Sequence, residues 1–346
     1  MNSRAHRIKV LDLIAETADA VSLVLDIPED LAARFAYAPG QFLTVEVPSE
    51  RTGSVARCYS LSSSPHCDDR PTITVKRTRG GYASNWLCDN IAAGSIITVL
   101  EPSGTFTPRS LHRDVLLFAG GSGITPIMSI IKSVLIGGIG AVVVLYANRD
   151  AESIIFAAGL RELAQRFPHR LSVTHWLESE CGLPTVDGLA AWARPHRGHD
   201  VYLCGPEEFM RTVHSALGCL GVPESVVRQE DYRSLTDNPF DSPARRAAPV
   251  PANGDHPALT VEIDGQVHRL SWPRRRKLLD VLLEHGIDAP YVCRESACGT
   301  CVCSVKRGRT RMLAHEALID DEIAQGLTLA CQTLPESDDL HIAFYL

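Results

Sequence analysis

Four cysteines near the end of the chain have the spacing of an iron–sulfur site. Cys293, Cys298 and Cys301 follow a Cys-x4-Cys-x2-Cys pattern, and Cys331 lies further along the chain. This is the spacing of a [2Fe–2S] cluster, in which a tight loop supplies three thiolates and a distant segment supplies the fourth. Gly299 lets backbone N–H groups approach the cluster sulfurs. A structural zinc ion is the alternative, but four-cysteine zinc sites usually contain two Cys-x2-Cys pairs, and here there is one.

The other cysteines need a different explanation. The chain has 11 cysteines, and no apolar signal segment follows its first residues. We therefore expect a cytoplasmic protein, whose thiols stay reduced and serve as ligands, reactive groups or small core residues. Cys303 alternates with Cys301 along a strand pattern. We interpret it as a packed thiol and not as a fifth ligand.

A second group of residues could hold a flat ring and a phosphate. Arg57, Tyr59 and Ser60 end a β-like run. Arg57 could neutralise a phosphate, Tyr59 could lie against a ring system, and Ser60 could donate a hydrogen bond to a ring nitrogen. The alternative is a surface arginine beside a core tyrosine.

Three glycine-containing segments could bind ligands, and the first two of them suit phosphates. Gly81-Tyr82-Ala83-Ser84 would open a helix whose N–H groups face a pyrophosphate. Gly120-Gly121-Ser122-Gly123-Ile124-Thr125-Pro126 lies between a strand and a helix, the context of a dinucleotide loop, although a glycine loop can also be a simple turn. Cys204-Gly205-Pro206 ends a later strand, at the sheet edge where such folds bind ligands.

The elements that position these residues fall into three domains. Short β-like runs over 1–108 predict a small antiparallel β-barrel. Over 109–235 an apolar run, a glycine loop, a helix from Pro126 to Leu135 and a second apolar run predict an α/β domain with a parallel sheet. Residues 236–257 are rich in proline and predict a linker, and 258–346 predict a small α+β domain.

Local signals define parts of these domains more closely. Asp264-Gly265 between two alternating runs predicts a hairpin turn. Helices are predicted at Glu207–Leu217 and from Leu278 to His285, the second of them stopped by Gly286.

Composition excludes several classes of protein. The chain has 346 residues, 45% of them hydrophobic, and a net charge of -7, which argues against binding to a nucleic-acid backbone. The most apolar stretch is interrupted by Lys132, so we expect no membrane span. No Cys-x-His pair for a Rieske centre is present, and His196-x2-His199 lies in a Pro/Gly-rich loop that we interpret as solvated. Oxygen activation is therefore expected on another protein.

The order of these motifs resembles that of the ferredoxin–NADP reductase superfamily. Arg57-x-Tyr-Ser, the segment at Gly81, the loop at Gly120 and Cys204-Gly-Pro occur in that order, and the last domain resembles the plant-type ferredoxins. The layout is most similar to reductase components of the 3-ketosteroid 9α-hydroxylase type. Phenylacetyl-CoA epoxidase reductases are similar, and phthalate dioxygenase reductase shares the domain order but uses FMN. The resemblance implies FAD, a β-barrel flavin domain, a parallel-sheet NAD domain and a β-grasp [2Fe–2S] domain.

The resemblance also implies roles for individual residues. Tyr59, Ser60 and Cys204 would be the catalytic residues, with Cys204 near the nicotinamide, although a buried strand thiol is the alternative. Arg149 would reach the adenosine end, and Tyr232 would lie near the flavin unless it is a core tyrosine. The other cofactor-binding residues implied are Arg57, Val75, Lys76, Gly81, Tyr82, Ala83, Ser84, Gly120, Gly121, Gly123, Thr125, Pro126, Gly205 and Pro206.

The function implied is electron transfer from NADH through FAD and [2Fe–2S] to a partner oxygenase. The Rieske oxygenase of a 3-ketosteroid 9α-hydroxylase is the expected partner, with a phenylacetyl-CoA epoxidase or another oxygenase as alternatives. Asp150 and Glu152 beside Arg149 would repel a 2′-phosphate, which favours NADH while leaving NADPH open. A redox sensor is the alternative from another class. We expect a monomer that docks through acidic residues of its last domain, unless they are only a solvated face: Glu316, Asp320, Asp321, Glu322, Asp338 and Asp339.

Overall fold

The computed structural model describes residues 4–232, 234–235, 238–241 and 256–344. Most of the predicted linker, 236–257, therefore lies outside the described residues. The chain divides into two compact units, one of which is His6–Ser234. The other contains the described chain from Leu235 onward. No helix in the described ranges is long and apolar enough to span a bilayer.

The first unit begins with a six-stranded sheet. Its strands lie in the spatial order β4-β3-β6-β1-β2-β5. An antiparallel bridge from Leu61 to Ile73 joins the ends of the two edge strands, so the sheet closes as the predicted barrel. Helix α1 (Tyr82–Asn90) follows β5. The strands are β1 (Ala5–Thr17), β2 (Ala20–Asp26), β3 (Phe42–Ser49), β4 (Gly53–Ser60), β5 (Thr72–Lys76) and β6 (Ile96–Leu100).

The same unit continues with a parallel five-stranded sheet. Its spatial order is β11-β10-β7-β8-β9. The chain adds β8 and β9 on one side of β7 and then β10 and β11 on the other side, so the order of strand addition reverses between β7 and β10. Ligands of open α/β sheets bind at such a reversal, outside the carboxyl ends of the strands. The elements in chain order are β7 (Val115–Gly120), α2 (Ile124–Gly137), β8 (Val142–Asn148), α3 (Ala157–Arg166), β9 (Leu171–Leu177), α4 (Glu178–Cys181), α5 (Val186–Ala193), β10 (Asp200–Cys204), α6 (Glu207–Cys219) and β11 (Val227–Glu230).

Helix α2 is held at its C-terminal end by one arginine. The Arg170 guanidinium donates hydrogen bonds at 2.8–3.1 Å to the carbonyl oxygens of Val134, Leu135, Gly138 and Gly140. Val134 and Leu135 lie in the last turn of α2, and Gly138 and Gly140 follow it. At a helix end the carbonyls lack partners within the helix, and the macrodipole favours a cation. Arg170 therefore caps α2 from a position just before β9.

The second unit is a mixed sheet of the predicted α+β type. Its order is β13-β12-β18-β14-β16, with β12 and β18 parallel, and β15 pairs separately with β17. Asp264 and Gly265 both have positive φ, as the predicted hairpin turn requires. The elements are β12 (Ala258–Ile263), β13 (Gln266–Ser271), α7 (Leu278–Glu284), β14 (Val302–Arg307), β15 (Thr310–Met312), α8 (Asp320–Ala324), β16 (Leu327–Leu329), β17 (Thr333–Pro335) and β18 (Asp339–Ala343).

Candidate functional site

The glycine loop and the Cys204 turn fit together as one piece of backbone. Gly120 ends β7, and 121–123 form a single 3-10 turn before α2. A Cβ on Gly123 would lie 2.0 Å from the Cys204 carbonyl oxygen, and one on Gly120 would lie 2.8 Å from the Pro206 ring. Both positions require glycine because the loop lies directly against the turn after β10. The glycine loop and the Cys204 turn are far apart in sequence, but together they form the sheet edge at which the strand order reverses.

The N-terminal end of α2 is open to an anion. Its first turn contains no acidic residue, and no side chain caps it. Thr125 donates its hydroxyl to the Ser122 carbonyl at 3.1 Å, which leaves the N–H groups of the first turn to a ligand. Pro126 lies in that turn, as predicted, where a missing N–H has no consequence.

Three predicted site residues meet at one phenolic hydroxyl. The Tyr232 hydroxyl lies 3.1 Å from Ser60 Oγ on the barrel side and 2.8 Å from Thr125 Oγ1 on the parallel-sheet side. Tyr232 is 45% exposed, but its hydroxyl end is enclosed, and burial raises its pKa well above the usual value. We call Ser60, Thr125 and Tyr232 the hydroxyl trio. It joins the hydroxyl predicted to hold the flavin to the one predicted to hold the dinucleotide.

Cys204 lies beneath the hydroxyl trio. The residue is fully buried and contacts the Tyr232 side chain. Burial raises the pKa of its thiol well above the usual value, so the thiol is protonated at neutral pH. Glu230, at the end of the neighbouring strand β11, is half-buried, and burial of its carboxyl group raises its pKa to about 8. Cys204 and its neighbour Glu230 are therefore both protonated at pH 7.

An open cleft of about 970 Å³ runs past Tyr232 between the two sheets of this unit. Of the predicted site residues it is lined by Lys76, Gly120, Gly121, Arg149, Gly205, Pro206 and Tyr232. Sequence reasoning did not identify several other lining residues, namely Asp19, Arg77, Arg79, Glu207, Met210, Arg211, His214 and Gln229. Of these, Glu207, Met210, Arg211 and His214 recur at helical spacing on α6, and that periodicity could have identified them.

The charges in the cleft are partly paired. Arg149 lies 3.5 Å from the Asp19 carboxylate, and the Lys76 ammonium lies 4.0 Å from it. Arg211 is held by Glu208 at 2.6 Å and by Glu207 at 3.5 Å. Arg149 and Arg211 therefore already have carboxylate partners. The preference for NADH over NADPH stays a prediction.

The remaining flavin-side residues occupy the barrel and the start of α1. Arg57 donates to the Ala56 carbonyl at 2.7 Å, and Tyr59 packs against the barrel core, where burial raises its pKa. Val75 is fully buried, so only its backbone is available to a ligand. Gly81 precedes α1 without a side-chain cap, and the Ser84 hydroxyl accepts the Thr78 N–H at 3.0 Å. In that helix Ala83 is buried and Tyr82 donates its hydroxyl to the Pro48 carbonyl.

A row of polar side chains on α2 fastens that helix to the segment that follows Ser60. Ser129 donates to the Ser63 carbonyl at 2.6 Å, and the Ser133 and Ser64 hydroxyls lie 2.7 Å apart. Lys132 forms an ion pair with Asp68 at 2.9 Å. We call these contacts the α2 clamp. It links the strand that ends at Ser60 to the helix that carries Thr125.

The four predicted cluster cysteines lie together in the second unit as two pairs. Cys293 contacts Cys298, and Cys301 contacts Cys331. A [2Fe–2S] cluster takes two protein ligands at each iron, whereas zinc needs four ligands around one point. Within the described ranges, no group of three or more His, Cys, Asp or Glu side chains could hold a single metal ion. The paired arrangement fits the dinuclear cluster and does not fit a zinc site.

The cluster loop is shaped to receive negative sulfurs. The N–H groups of Glu295 and Cys298 point at the Cys293 sulfur at 3.3 and 3.4 Å. The pKa of Cys293 is lowered to about 6, first by the Cys298 thiol and then by these N–H groups. Arg294, Ser296 and Gly299 have φ of 60–71°, the left-handed conformation that turns successive N–H groups inward as an anion-binding nest.

The structure also describes Cys303, the histidine pair and the acidic residues of the second unit. Cys303 is buried on β14 and directs its thiol to the Thr328 carbonyl, in the manner of a packed thiol. The His196 and His199 rings pack edge to face at 5.2 Å. Among the acidic residues considered for docking, Asp338 pairs with Arg274, Asp339 pairs with Arg307, and Glu322 accepts the Ile319 N–H. These three carboxylates already have partners within the unit.

Three family models match the chain in the order of the domains. Residues 8–107 match an oxidoreductase FAD-binding domain, 117–215 match an oxidoreductase NAD-binding domain, and 261–336 match a 2Fe-2S iron–sulfur cluster binding domain. The predicted cofactors FAD, NAD and [2Fe–2S] are thereby confirmed at the level of domains, and so is the predicted fold class.

Whole-chain relatives share this domain order. The chain is 51% identical to a 3-ketosteroid-9-alpha-monooxygenase ferredoxin reductase component of Rhodococcus rhodochrous, over 99% of this chain and 97% of that protein. It is 30% identical to a 1,2-phenylacetyl-CoA epoxidase component from Escherichia coli, over 98% and 97%. The crystal structure of phthalate dioxygenase reductase superposes with a TM-score of 0.58 at 25% identity, over 98% of both chains.

Proposed function

Because this chain belongs to the family of the 3-ketosteroid-9-alpha-monooxygenase ferredoxin reductase components, we propose that it supplies electrons from NADH to the oxygenase of such a system. The partner is a Rieske oxygenase, and the reaction is 9α-hydroxylation of a 3-ketosteroid. The protein acts in the cytoplasm as a monomer. Its functional domains are the predicted ones, with boundaries at about 108, 235 and 257.

The hydroxyl trio carries this proposal. Ser60 belongs to the barrel that matches the FAD-binding model, and Thr125 belongs to the domain that matches the NAD-binding model. Both hydroxyls reach Tyr232 within 3.1 Å. A reductase must bring its nicotinamide and flavin sites together, because hydride transfer needs reacting atoms about 3–3.5 Å apart. A meeting of the two domains at one phenol meets that requirement.

The chain's own residues bind, orient and shield. The Gly120–Gly123 loop and the N–H groups of α2 hold the dinucleotide pyrophosphate, while Arg57 and the start of α1 hold the flavin phosphates. When bound, FAD takes up two electrons as a hydride and the [2Fe–2S] cluster carries electrons singly. Tyr232 keeps water from the Cys204 thiol, which is fully buried. Ser60 orients the flavin ring, and Thr125 orients the nicotinamide end.

In the second unit the four paired cysteines hold the cluster. The nest of N–H groups around Cys293 stabilises its thiolate, and Gln332 supports the loop by donating to the Arg294 carbonyl at 2.7 Å. Thr300 lies 3.2 Å from the Cys298 sulfur, where its hydroxyl stabilises that thiolate.

The test is reconstitution with defined partners. Purified protein is mixed with NADH and either a 3-ketosteroid 9α-hydroxylase oxygenase or a 1,2-phenylacetyl-CoA epoxidase, and product is quantified against NADH consumed. We expect coupled 9α-hydroxylation and little epoxidation. Epoxidation alone would show that the protein serves an epoxidase. This is the second candidate function, and the 30% identity to the epoxidase component supports it. Rapid NADH-dependent reduction of ferricyanide with neither product formed would refute both partners and retain the reductase.

A further inference from the structure

Ser296 stands out among the residues of the cluster loop. It is 1% exposed, and its hydroxyl oxygen has no hydrogen-bond partner among the described residues. Its φ is 69°, in the left-handed region that favours glycine. A buried hydroxyl without a partner and a side chain on a left-handed residue both destabilise the fold. Alanine at this position would avoid the first cost, and glycine would avoid both.

The conformation of Ser296 is fixed by its neighbours. Its carbonyl accepts the Ala317 N–H at 2.9 Å. The preceding left-handed residue, Arg294, has its carbonyl held by Gln332. The side chain of Ser296 is therefore confined to the interior of the loop and cannot turn to solvent.

The position of Ser296 is between two ligand thiols. Its N–H is one of the groups that stabilise the Cys331 thiolate. The residues on either side of it, Glu295 and Ala297, direct their N–H groups to Cys293. A hydroxyl that starts from this backbone position lies beside the sulfurs of a bound cluster, which are strong acceptors for it.

We propose that the Ser296 hydroxyl donates a hydrogen bond to a sulfur of the bound [2Fe–2S] cluster and raises its reduction potential. Ser296 is thus a positioning and tuning residue for the single-electron step, and the inference rests on the proposed function of the four cysteines. A hydrogen bond to a cluster sulfur stabilises the reduced state, which carries one more negative charge. This stabilisation compensates for a hydroxyl that lacks a protein partner.

The test is a redox titration of the holoprotein monitored by the electron paramagnetic resonance signal of the reduced cluster. Ser296→Ala is expected to lower the equilibrium constant for one-electron reduction about tenfold, which corresponds to about 59 mV for one electron. Ser296→Gly, which also removes the left-handed strain, is expected to shift the potential in the same direction. Ser337→Ala, which alters a hydroxyl that accepts the Arg309 N–H at 2.7 Å, serves as the matched control and should leave the potential unchanged.

A second readout is independent of electron delivery. Iron–sulfur stretching frequencies in the resonance Raman spectrum should shift on transfer to D2O, and the shift should be smaller in Ser296→Ala. Unchanged potentials in both Ser296 variants would overturn the proposal, and so would loss of the cluster from both, which would assign the hydroxyl to assembly of the site. Absence of a [2Fe–2S] signal from the wild-type protein would instead refute the proposed function itself.

Discussion

At the scale of single residues, the candidate site depends on side chains whose ordinary acidity has been changed by burial. Cys204 contacts Tyr232 and lies near Glu230, and burial raises the pKa of both Cys204 and Glu230. Tyr232 presents its ring to the cleft and its hydroxyl to Ser60 and Thr125. Tyr232 therefore lies between the open cleft and the protonated Cys204 thiol.

Removal of the Tyr232 ring should expose Cys204. Tyr232→Ser leaves a gap over a thiol that is fully buried in the native protein, so iodoacetamide should label Cys204 faster, by at least tenfold. Labelling is measured by mass spectrometry of the peptide that contains residue 204. Tyr232→Phe keeps the ring and should leave Cys204 protected. Equal labelling in wild type and Tyr232→Ser would show that other groups shield the thiol.

The raised pKa of Glu230 predicts a pH dependence of stability. In the folded protein this carboxyl binds its proton up to about pH 8, whereas in the unfolded chain it loses the proton near the ordinary value of 4.5. Its contribution is therefore fully present below about pH 4.5 and is lost as pH rises through 8. Between pH 7 and 9 the loss is about 1.4 kcal/mol.

The measurement is the thermal midpoint of flavin release, followed by flavin fluorescence at pH 7 and pH 9. Glu230→Gln, which cannot ionise, should show a smaller fall over this range than the wild-type protein. Asp231→Asn removes the adjacent carboxyl group but leaves Glu230 able to ionise, so it should retain most of the wild-type fall. A wild-type midpoint that rises between pH 7 and 9 would contradict the raised pKa.

The residue scale also shows how far sequence reasoning reaches. The four cysteines could be predicted as cluster ligands because three of them lie within nine residues, Cys293 to Cys301, and their spacing is itself the signal. The hydroxyl trio could not be identified as a unit, because Tyr232 is 172 positions from Ser60 and 107 from Thr125. No local pattern records a contact at that distance, and only the packing of the two sheets creates it.

At the scale of elements, α2 is the central part of the nucleotide-binding half. The loop before it lines the cleft, its side chains carry the α2 clamp, and its last turn is capped by Arg170. The α2 clamp fixes the distance between the strand end at Ser60 and the helix start at Thr125. We infer that the alignment of the two cofactor sites depends on it.

Ser133→Ala should therefore affect stability and rate together. The Ser133 and Ser64 hydroxyls are fully buried and lie 2.7 Å apart, so loss of one partner costs about 1–2 kcal/mol. We expect a lower thermal midpoint and a severalfold slower reduction of the flavin by NADH in stopped-flow measurements. Ser215→Ala on the exposed surface of α6 is the control and should change neither. A lower thermal midpoint with an unchanged rate of flavin reduction would show that the α2 clamp stabilises the fold but does not align the cofactor sites.

Elements were predictable where a local signal starts or stops them. The helix predicted from Pro126 to Leu135 is observed as Ile124–Gly137, and the helix predicted from Leu278 to His285 as Leu278–Glu284. Asp264-Gly265 forms the predicted turn because both residues adopt positive φ. The α2 clamp was not predicted, because serines on a buried helix face give the same pattern as small core residues until their partners are known.

At the scale of the whole molecule, the two kinds of chemistry belong to different compact units. All residues that line the cleft and all of the hydroxyl trio lie in His6–Ser234, whereas the four predicted cluster cysteines lie in the other unit. Nucleotide chemistry and cluster chemistry should therefore be separable by mutation.

Cys331→Ala should separate them. It removes one proposed cluster ligand and leaves the cleft intact, so NADH-dependent reduction of ferricyanide should stay within twofold of wild type. Delivery of electrons to the oxygenase should fall at least a hundredfold, measured as product per NADH consumed. Cys303→Ala removes a packed thiol in the same unit and should retain the cluster absorbance and most of the delivery. Loss of ferricyanide reduction in Cys331→Ala would show that the two units depend on each other.

The cap at the end of α2 also sets an order of events during synthesis. Four carbonyl oxygens from Val134 to Gly140 depend on the guanidinium of Arg170, which is made only after α3. A nascent chain that ends anywhere before Arg170 has the glycine loop and all of α2 but lacks the group that completes the helix end. The nucleotide-binding half therefore reaches its final structure only after the segment that begins β9 has left the ribosome, however early its binding loop is translated.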